Sequence, residues 1–274
     1  MKKSFVNLLT VAVVIFGIAS CTGKKAKEEA ATEEAAVIAG NIPKSLLTEE
    51  LKTETIQLLN DLPDSEIPYR ISSGEVTVGV ADSKYMLAVA QAAELTTPSQ
   101  KARACGIYLA DFNVLTVTGQ PTTEVEGVLA KLTAELNISY LLDILKVSVP
   151  KEATKEEIQH FYASQEDKMV KALAEDDKIH VAIDILGGAA AEYACLIANP
   201  TLVVKGDATS AGLSENMEKR IEILGEITND LSAYYPEMKT LGETILPLKD
   251  KVTSIQAARD ANADILAIRD ALLK

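Results

Sequence analysis

Apolar residues recur at spacings of three and four along most of the chain beyond residue 45. In residues 211–233, for example, Ile221, Leu224, Ile227 and Leu231 follow this period, which is that of an amphipathic α-helix. Prolines, glycines and capping residues divide the pattern into helix-length segments. The predicted helices are 48–61, 82–95, 99–118, 121–137, 139–147, 152–175, 178–198, 211–233, 236–246 and 250–273. Together they predict an all-α fold, a helical bundle of about nine helices.

One segment departs from the helical period. In "YRISSGEVTVGVAD" (69–82), Val76, Val78 and Val80 alternate with other residues, which is typical of a strand. No other segment of the sequence alternates in this way. We therefore expect an extended linker here rather than a paired strand.

Two of the predicted helices resemble each other. The segment 106–115, "GIYLADFNVL", aligns with 187–196, "GGAAAEYACL", at an offset of 81 residues. Each has predicted amphipathic helices before and after it, so we consider a duplicated three-helix unit, with chance similarity of two Ala-rich helices as the alternative. Gly106, Gly187 and Gly188 are predicted to be points where helices pack closely.

The first residues form a different kind of segment. Lys2 and Lys3 precede an apolar run from Phe5 to Ala19, which is too short for the roughly 20 residues of a membrane-spanning helix. This layout is that of a secretory signal. The run ends in "IASC", residues 18–21, which resembles the lipobox of bacterial lipoproteins. An ordinary secretory signal with a cysteine by chance is the alternative.

The lipobox resemblance implies cleavage before Cys21 and acylation of that residue. Several acyl chains would anchor the mature protein to a membrane without a spanning helix. Position 22 is Thr rather than Asp. By analogy with the sorting of known lipoproteins, this favours export to the outer membrane over retention at the inner membrane. The expected organisation is a signal peptide over 1–20, the lipidated cysteine and a flexible acidic tether over 21–45, and a single all-α domain over 46–274.

The charge of the chain limits its partners. The sequence has 27 Lys and Arg residues against 40 Asp and Glu residues, a formal net charge of −13. Loss of residues 1–20 would remove Lys2 and Lys3 and no acid. An acidic surface repels nucleic acids, so these are not expected partners. The expected partners are the membrane, through the lipid on Cys21, and an envelope protein.

Local motifs give no catalytic chemistry. The sequence contains no G-x-S-x-G elbow, no G-x-G-x-x-G run and no P-loop. His160 and His180 each follow an acid by three residues, as in di-iron bundles, but they lie too far apart along an antiparallel hairpin to share a metal. Cys105 and Cys195 lie in apolar runs, either as buried thiols or as a disulfide. We expect no enzyme activity, no cofactor and no metal.

Polar residues inside the two most apolar helices are the candidate site. Asp111 and Glu192 are costly to bury unless they are paired, and Tyr108 and Tyr193 lie near them in sequence. One interpretation is a small-ligand pocket where the two central helices meet, formed by Tyr108, Asp111, Glu192 and Tyr193. The alternative is that these acids, and Asp184 with them, cap helices, pair with Arg103 or a lysine, or reach solvent.

The runs "GIYLADFNVL" and "ILGGAAAEYACL" resemble those of a group of uncharacterised all-helical envelope lipoproteins. That resemblance implies a helical envelope domain and no particular activity. We therefore expect a membrane-anchored, non-enzymatic binding or scaffolding module, with a small-ligand-binding lipoprotein as the alternative.

Overall fold

The computed structural model describes residues 47–79, 83–145 and 153–274. The predicted signal peptide, the lipidation of Cys21 and the tether over 21–45 lie outside these residues. Eleven α-helices occur within them, so the prediction of an all-α bundle is confirmed. They are α1 Glu49–Asn60, α2 Glu66–Ser72, α3 Pro98–Val117, α4 Thr123–Glu135, α5 Leu142–Leu145, α6 Lys155–Glu175, α7 Ile179–Ala198, α8 Asp207–Leu231, α9 Pro236–Ile245, α10 Ile255–Asp260 and α11 Asn262–Ala271.

The centre of the fold is the pair α3 and α7. Arg103 contacts Asp184, and about two turns further along both helices Asp111 interacts with Glu192, so the helices run parallel. The other helices surround this pair: α4 packs on α3, and α6, α8, α9, α10 and α11 pack on α7. One continuous apolar core from Leu59 to Leu272 joins them.

Glycines let α3 and α7 touch backbone to backbone. A Cβ atom at Gly106 would lie under 3.0 Å from the carbonyl oxygen of Ile185, and one at Gly188 would lie equally close to that of Arg103. Gly187 faces the side chain of Leu241 instead, at 2.9 Å. The three glycines are therefore close-packing points, as predicted, and two of them form the contact between the central helices.

Every residue of α7 is buried. Among the described residues it is the one helix whose length and composition would allow it to cross a membrane, and it lies wholly inside the protein. Its all-round apolar surface is that of a central core helix.

The predicted helix over 82–95 is wrong. Residues 83–95 instead contain two 3₁₀ turns, Ser83–Tyr85 and Val89–Ala93, with Ala88 extended between them. In this conformation the N–H of Leu87 and the carbonyl of Ala88 face α3, where they bind Asp111 and Tyr108. In the duplicated three-helix unit that the sequence suggests, the first copy therefore lacks its first α-helix.

Other boundaries also differ from the expectation. The segment 69–82 has a partner after all, because β1 Val76–Thr77 pairs antiparallel with β2 Val203–Val204. The predicted last helix is divided into a 3₁₀ turn, Leu246–Lys251, and the helices α10 and α11. Ser254 begins α10 by accepting a hydrogen bond from the N–H of Ala257, and the chain turns again at Ala261.

The substitution Gly106→Ala tests the central contact. We expect it to lower the free energy of unfolding by about 3 kcal/mol, because the added methyl must push two helix backbones apart. Gly127→Ala is the matched control, since Gly127 is exposed within α4 and nothing lies near its Cβ position. It should raise the free energy of unfolding by up to about 1 kcal/mol. Urea denaturation measures both, and equal effects would contradict the contact.

Candidate functional site

Three of the four predicted pocket residues meet in the interior. Tyr108, Asp111 and Glu192 are each fully buried where α3 faces α7. One oxygen of Asp111 accepts a hydrogen bond from the N–H of Leu87 at 3.1 Å, and the Tyr108 hydroxyl donates to the carbonyl of Ala88 at 2.8 Å. These bonds attach the 83–95 segment to the central helices.

Glu192 forms an ion pair with Arg269, which follows it by 77 residues. Nη1 of Arg269, on α11, lies 3.4 Å from Oε2 of Glu192 and also donates to the carbonyl of Lys84. The remaining oxygens, Oδ1 of Asp111 and Oε1 of Glu192, have no donor among the described residues. They can bond to each other when one of the two carboxyls is protonated. Burial raises the pKa of Asp111, and it raises the pKa of Glu192 to about 7.

Tyr193 does not join this group. Its hydroxyl accepts a 3.5 Å hydrogen bond from Asn113, and its ring lines a cavity of about 20 Å³ with Tyr162 and Met169. This volume holds about one water molecule. The predicted four-residue pocket is therefore not formed, because Arg269 and the 83–95 segment cover the carboxylates that would have bound a ligand.

An open pocket instead lies at the N-terminal ends of the central helices. Its volume is about 340 Å³. Its wall is formed by Pro98, Ser99, Ala102 and Arg103 of α3, by His180, Val181 and Asp184 of α7, by Glu237 and Thr240 of α9, and by Lys274. It thus lies between the two apolar central helices, as the ligand-binding hypothesis expects, but about two turns away from the predicted residues.

A buried ion pair forms part of the wall. Nε of Arg103 lies 2.7 Å from Oδ1 of Asp184, and both side chains are almost fully buried. Nη2 of Arg103 donates to the carbonyl of Glu237 at 2.9 Å, while Nη1 makes no hydrogen bond to any described residue. Burial raises the pKa of Asp184 to about 6, although Arg103 acts against this shift. The pairing of Asp184 with Arg103 was one of the sequence alternatives.

His180 is the second buried polar group in the wall. Its ring stacks on Tyr235, with centroids 4.5 Å apart and planes at 16°. Only 5% of the residue is exposed, and Nδ1 has no hydrogen-bond partner in the described part of the chain. Burial, followed by the charge of Lys178, lowers its pKa to about 4, so the imidazole is neutral at pH 7. A neutral imidazole offers one donor and one acceptor.

Three helices begin at this pocket. Ser99, His180 and Glu237 are the second residues of α3, α7 and α9. Their backbone N–H groups make no hydrogen bonds within the described ranges, and residues 98 and 236 before two of them are prolines without an N–H. First-turn amides point out of the helix end and carry the positive end of the helix dipole.

Other candidate chemistry is absent from the described ranges. No group of three His, Cys, Asp or Glu side chains there could hold a metal ion, and His160 is exposed whereas His180 is buried. Cys105 and Cys195 are buried free thiols and form no disulfide. Burial raises the pKa of the Cys105 thiol to about 12, so it is not a nucleophile at neutral pH.

Sequence reasoning missed the pocket because it treated Arg103 only as a partner and His180 only as a metal ligand. A signal was present in the internal similarity. The offset that aligns Gly106 with Gly187 also aligns Arg103 with Asp184, and these residues form the ion pair. The meeting of three helix ends, however, has no local signature in the sequence.

The buried carboxyl pair predicts a pH dependence of stability. Both pKa values are raised by folding, so the stabilising effect is complete below the ordinary values near 4 and is lost as the pH rises. In Asp111→Asn, the amide can donate to Glu192 and still accept from Leu87. We expect its free energy of unfolding to increase relative to wild type by up to about 1.4 kcal/mol per pH unit between pH 5 and 8.

Urea denaturation at four pH values measures this difference. Asp143→Asn, at an exposed position on α5, is the matched control and should give a curve parallel to wild type. A curve for Asp111→Asn that is also parallel to wild type would contradict the shared proton.

Comparison of the chain with protein-family models, with curated proteins and with solved structures gives no match.

Proposed function

We propose that this chain is a lipid-anchored, non-enzymatic binding protein of the cell envelope, whose folded part holds a small ligand in the pocket at the N-terminal ends of α3 and α7. The observation that carries the proposal is the pocket of about 340 Å³ between three helix ends, with the Nη1 donor of Arg103 left without a hydrogen bond to any described residue. Binding pockets for small molecules have volumes from about 300 Å³ upwards and present a few placed polar groups on mostly apolar walls.

The unpartnered groups support binding. Nη1 of Arg103 and the first-turn amides of Ser99, His180 and Glu237 make no hydrogen bond to any described residue. The helices hold them in place whether or not anything bonds to them. A ligand in the pocket would satisfy several of these groups at once.

The arrangement of the same residues argues against catalysis. A nucleophile and its base must be within hydrogen-bond reach of each other. Asp184 is paired with Arg103, and within the described residues His180 makes no hydrogen bond to Ser99 or to Asp184. The wall therefore has rigid polar groups but no activated nucleophile.

The envelope location rests on the N-terminal sequence. The short apolar run and the lipobox-like "IASC" favour an anchor on Cys21, most consistent with the outer membrane. The segment that follows, 22–45, is rich in Ala, Glu and Lys and is long enough to hold a folded domain away from the lipid surface.

A scaffolding role is the second candidate. A groove of about 560 Å³ runs between α1 and α6, with Ile56, Val170 and Ala174 on its floor. Lys52 and Asp167 lie along its rim. An apolar floor with a charged rim is the composition of a protein-binding surface.

Cys21→Ser tests the anchor. We expect the wild-type chain to fractionate with membranes and its mature N-terminal peptide to carry the mass of an acylated cysteine. The variant, which lacks the thiol that receives the lipid, should be released into the soluble fraction. Mass spectrometry and detergent phase partitioning measure these outcomes. An unacylated wild-type N-terminus would contradict the anchor but not the binding pocket.

Thr240→Trp tests the pocket. Thr240 is exposed on α9 and lines the pocket, so an indole there should fill it without disturbing the core. Full-length chain is incubated with a small-molecule extract of the producing cells, desalted, denatured and analysed by mass spectrometry. We expect one compound class to be at least about tenfold depleted in the variant.

The matched control is Thr123→Trp, at an exposed position on α4 away from the pocket. It should retain the compound at the wild-type level. Retention of the same compounds by Thr240→Trp, or their absence from the wild-type chain, would overturn the proposed binding function.

A further inference from the structure

We propose that the pocket at the N-terminal ends of α3, α7 and α9 binds a small organic carboxylate. The carboxylate group is held by the first-turn amides and Arg103, and the apolar part of the ligand lies against Pro98. This inference rests on the proposed binding function and names the chemical class of its ligand.

The helix ends at the pocket give it an electrostatic character that favours an anion. The N-terminus of an α-helix carries about +0.5 of an elementary charge, and three helices of ten or more residues begin here. Arg103 and Asp184 form a pair with no net charge, and His180 is neutral. Glu237 and Lys274, which also line the pocket, carry opposite charges. The helix ends therefore leave the deep part of the pocket with a partial positive charge, which suits a monoanion.

The pocket wall also supplies hydrogen-bond donors for an anion. The amides of Ser99, His180 and Glu237 and Nη1 of Arg103 lack hydrogen bonds within the described residues and belong to the pocket wall. Helix N-termini bind carboxylates and phosphates through such amides. An arginine donor adds a charge-assisted bond, which is about twice as strong as a neutral one.

His180 is an observation independent of the helix ends. The residue lines the pocket, and only 5% of its surface is exposed. Its Nδ1 has no hydrogen-bond partner among the described residues. The stacked Tyr235 ring fixes the plane of the imidazole, so the orientation of this nitrogen is set before a ligand arrives. Nδ1 itself is covered by the surrounding atoms, so the imidazole shapes the wall, and the donors that reach a ligand are those of Arg103 and the helix ends.

The walls favour a carboxylate over inorganic phosphate. Inorganic phosphate carries about 1.5 negative charges at pH 7, and the Asp184 carboxylate next to Arg103 would repel the charge beyond the first. Pro98 is apolar, half-buried and part of the wall, so it can contact the hydrocarbon part of an organic acid but offers phosphate no hydrogen bond. The volume of about 340 Å³ leaves room for that part.

The experiment uses the full-length chain in detergent, labelled with ¹⁵N, and three probes: butyrate, the isosteric neutral butyramide, and inorganic phosphate. Amide chemical shifts during titration give the dissociation constants. We expect butyrate to bind at least about tenfold more tightly than either of the other probes. The shifts should be largest at Ser99, His180 and Glu237, whose amides meet the carboxylate.

A pair of variants at Thr240 isolates the charge effect. Thr240→Glu places a carboxylate at the exposed rim of the pocket, and Thr240→Gln places an amide of the same shape there. Neither change touches the core, so both should fold, which circular dichroism checks. We expect butyrate binding to weaken about tenfold in the first variant relative to the second, because like charges repel.

The outcomes separate this inference from the proposed function. Equal binding of butyramide and butyrate, tighter binding of phosphate, or equal effects of the two variants would overturn the carboxylate class. If Thr240→Trp removes a neutral compound from the wild-type set, the binding function stands and the carboxylate inference fails. If it removes nothing and no probe binds, both fail.

Discussion

The direct contact between the backbones of α3 and α7 is the constraint on which the rest of the structure depends. Gly106 and Gly188 allow two parallel helices to approach so closely that any side chain at either position would collide with a carbonyl. The contact fixes the register of the pair. Charged residues two turns apart on α3 are thereby placed opposite charged residues two turns apart on α7, as in Arg103 with Asp184 and Asp111 with Glu192.

The two levels of this helix pair have different surroundings. At the level of Asp111 and Glu192, Arg269 and the 83–95 segment cover the carboxylates, and a shared proton completes their hydrogen bonds. At the level of Arg103 and Asp184, the helices begin, and the start of α9 and Lys274 lie beside them. A buried charge needs partners wherever it lies. The first level is closed by the protein itself, and the second is open to a ligand.

The proposed binding site and the proposed lipid anchor lie in separate parts of the chain. The pocket is formed at the N-terminal ends of α3, α7 and α9, together with Lys274. The proposed anchor on Cys21 is separated from α1 by 27 residues, since α1 begins at Glu49 and residues 22–48 lie between them. A change at Cys21 would therefore leave the residues of the pocket unchanged.

The sequence by itself determined the helical class, the spans of the long helices and the role of the glycines, because these follow from local periodicity and residue size. It also marked the charged residues of α3 and α7 as costly to bury. Tertiary structure alone decided the rest. The 83–95 segment does not form the α-helix that its sequence predicts, because its backbone groups bond to Asp111 and Tyr108. Whether a carboxylate is covered depends on Arg269, 77 residues beyond Glu192. The pocket exists because three helices begin at one place, and such a meeting is a property of packing, which no single segment of sequence encodes.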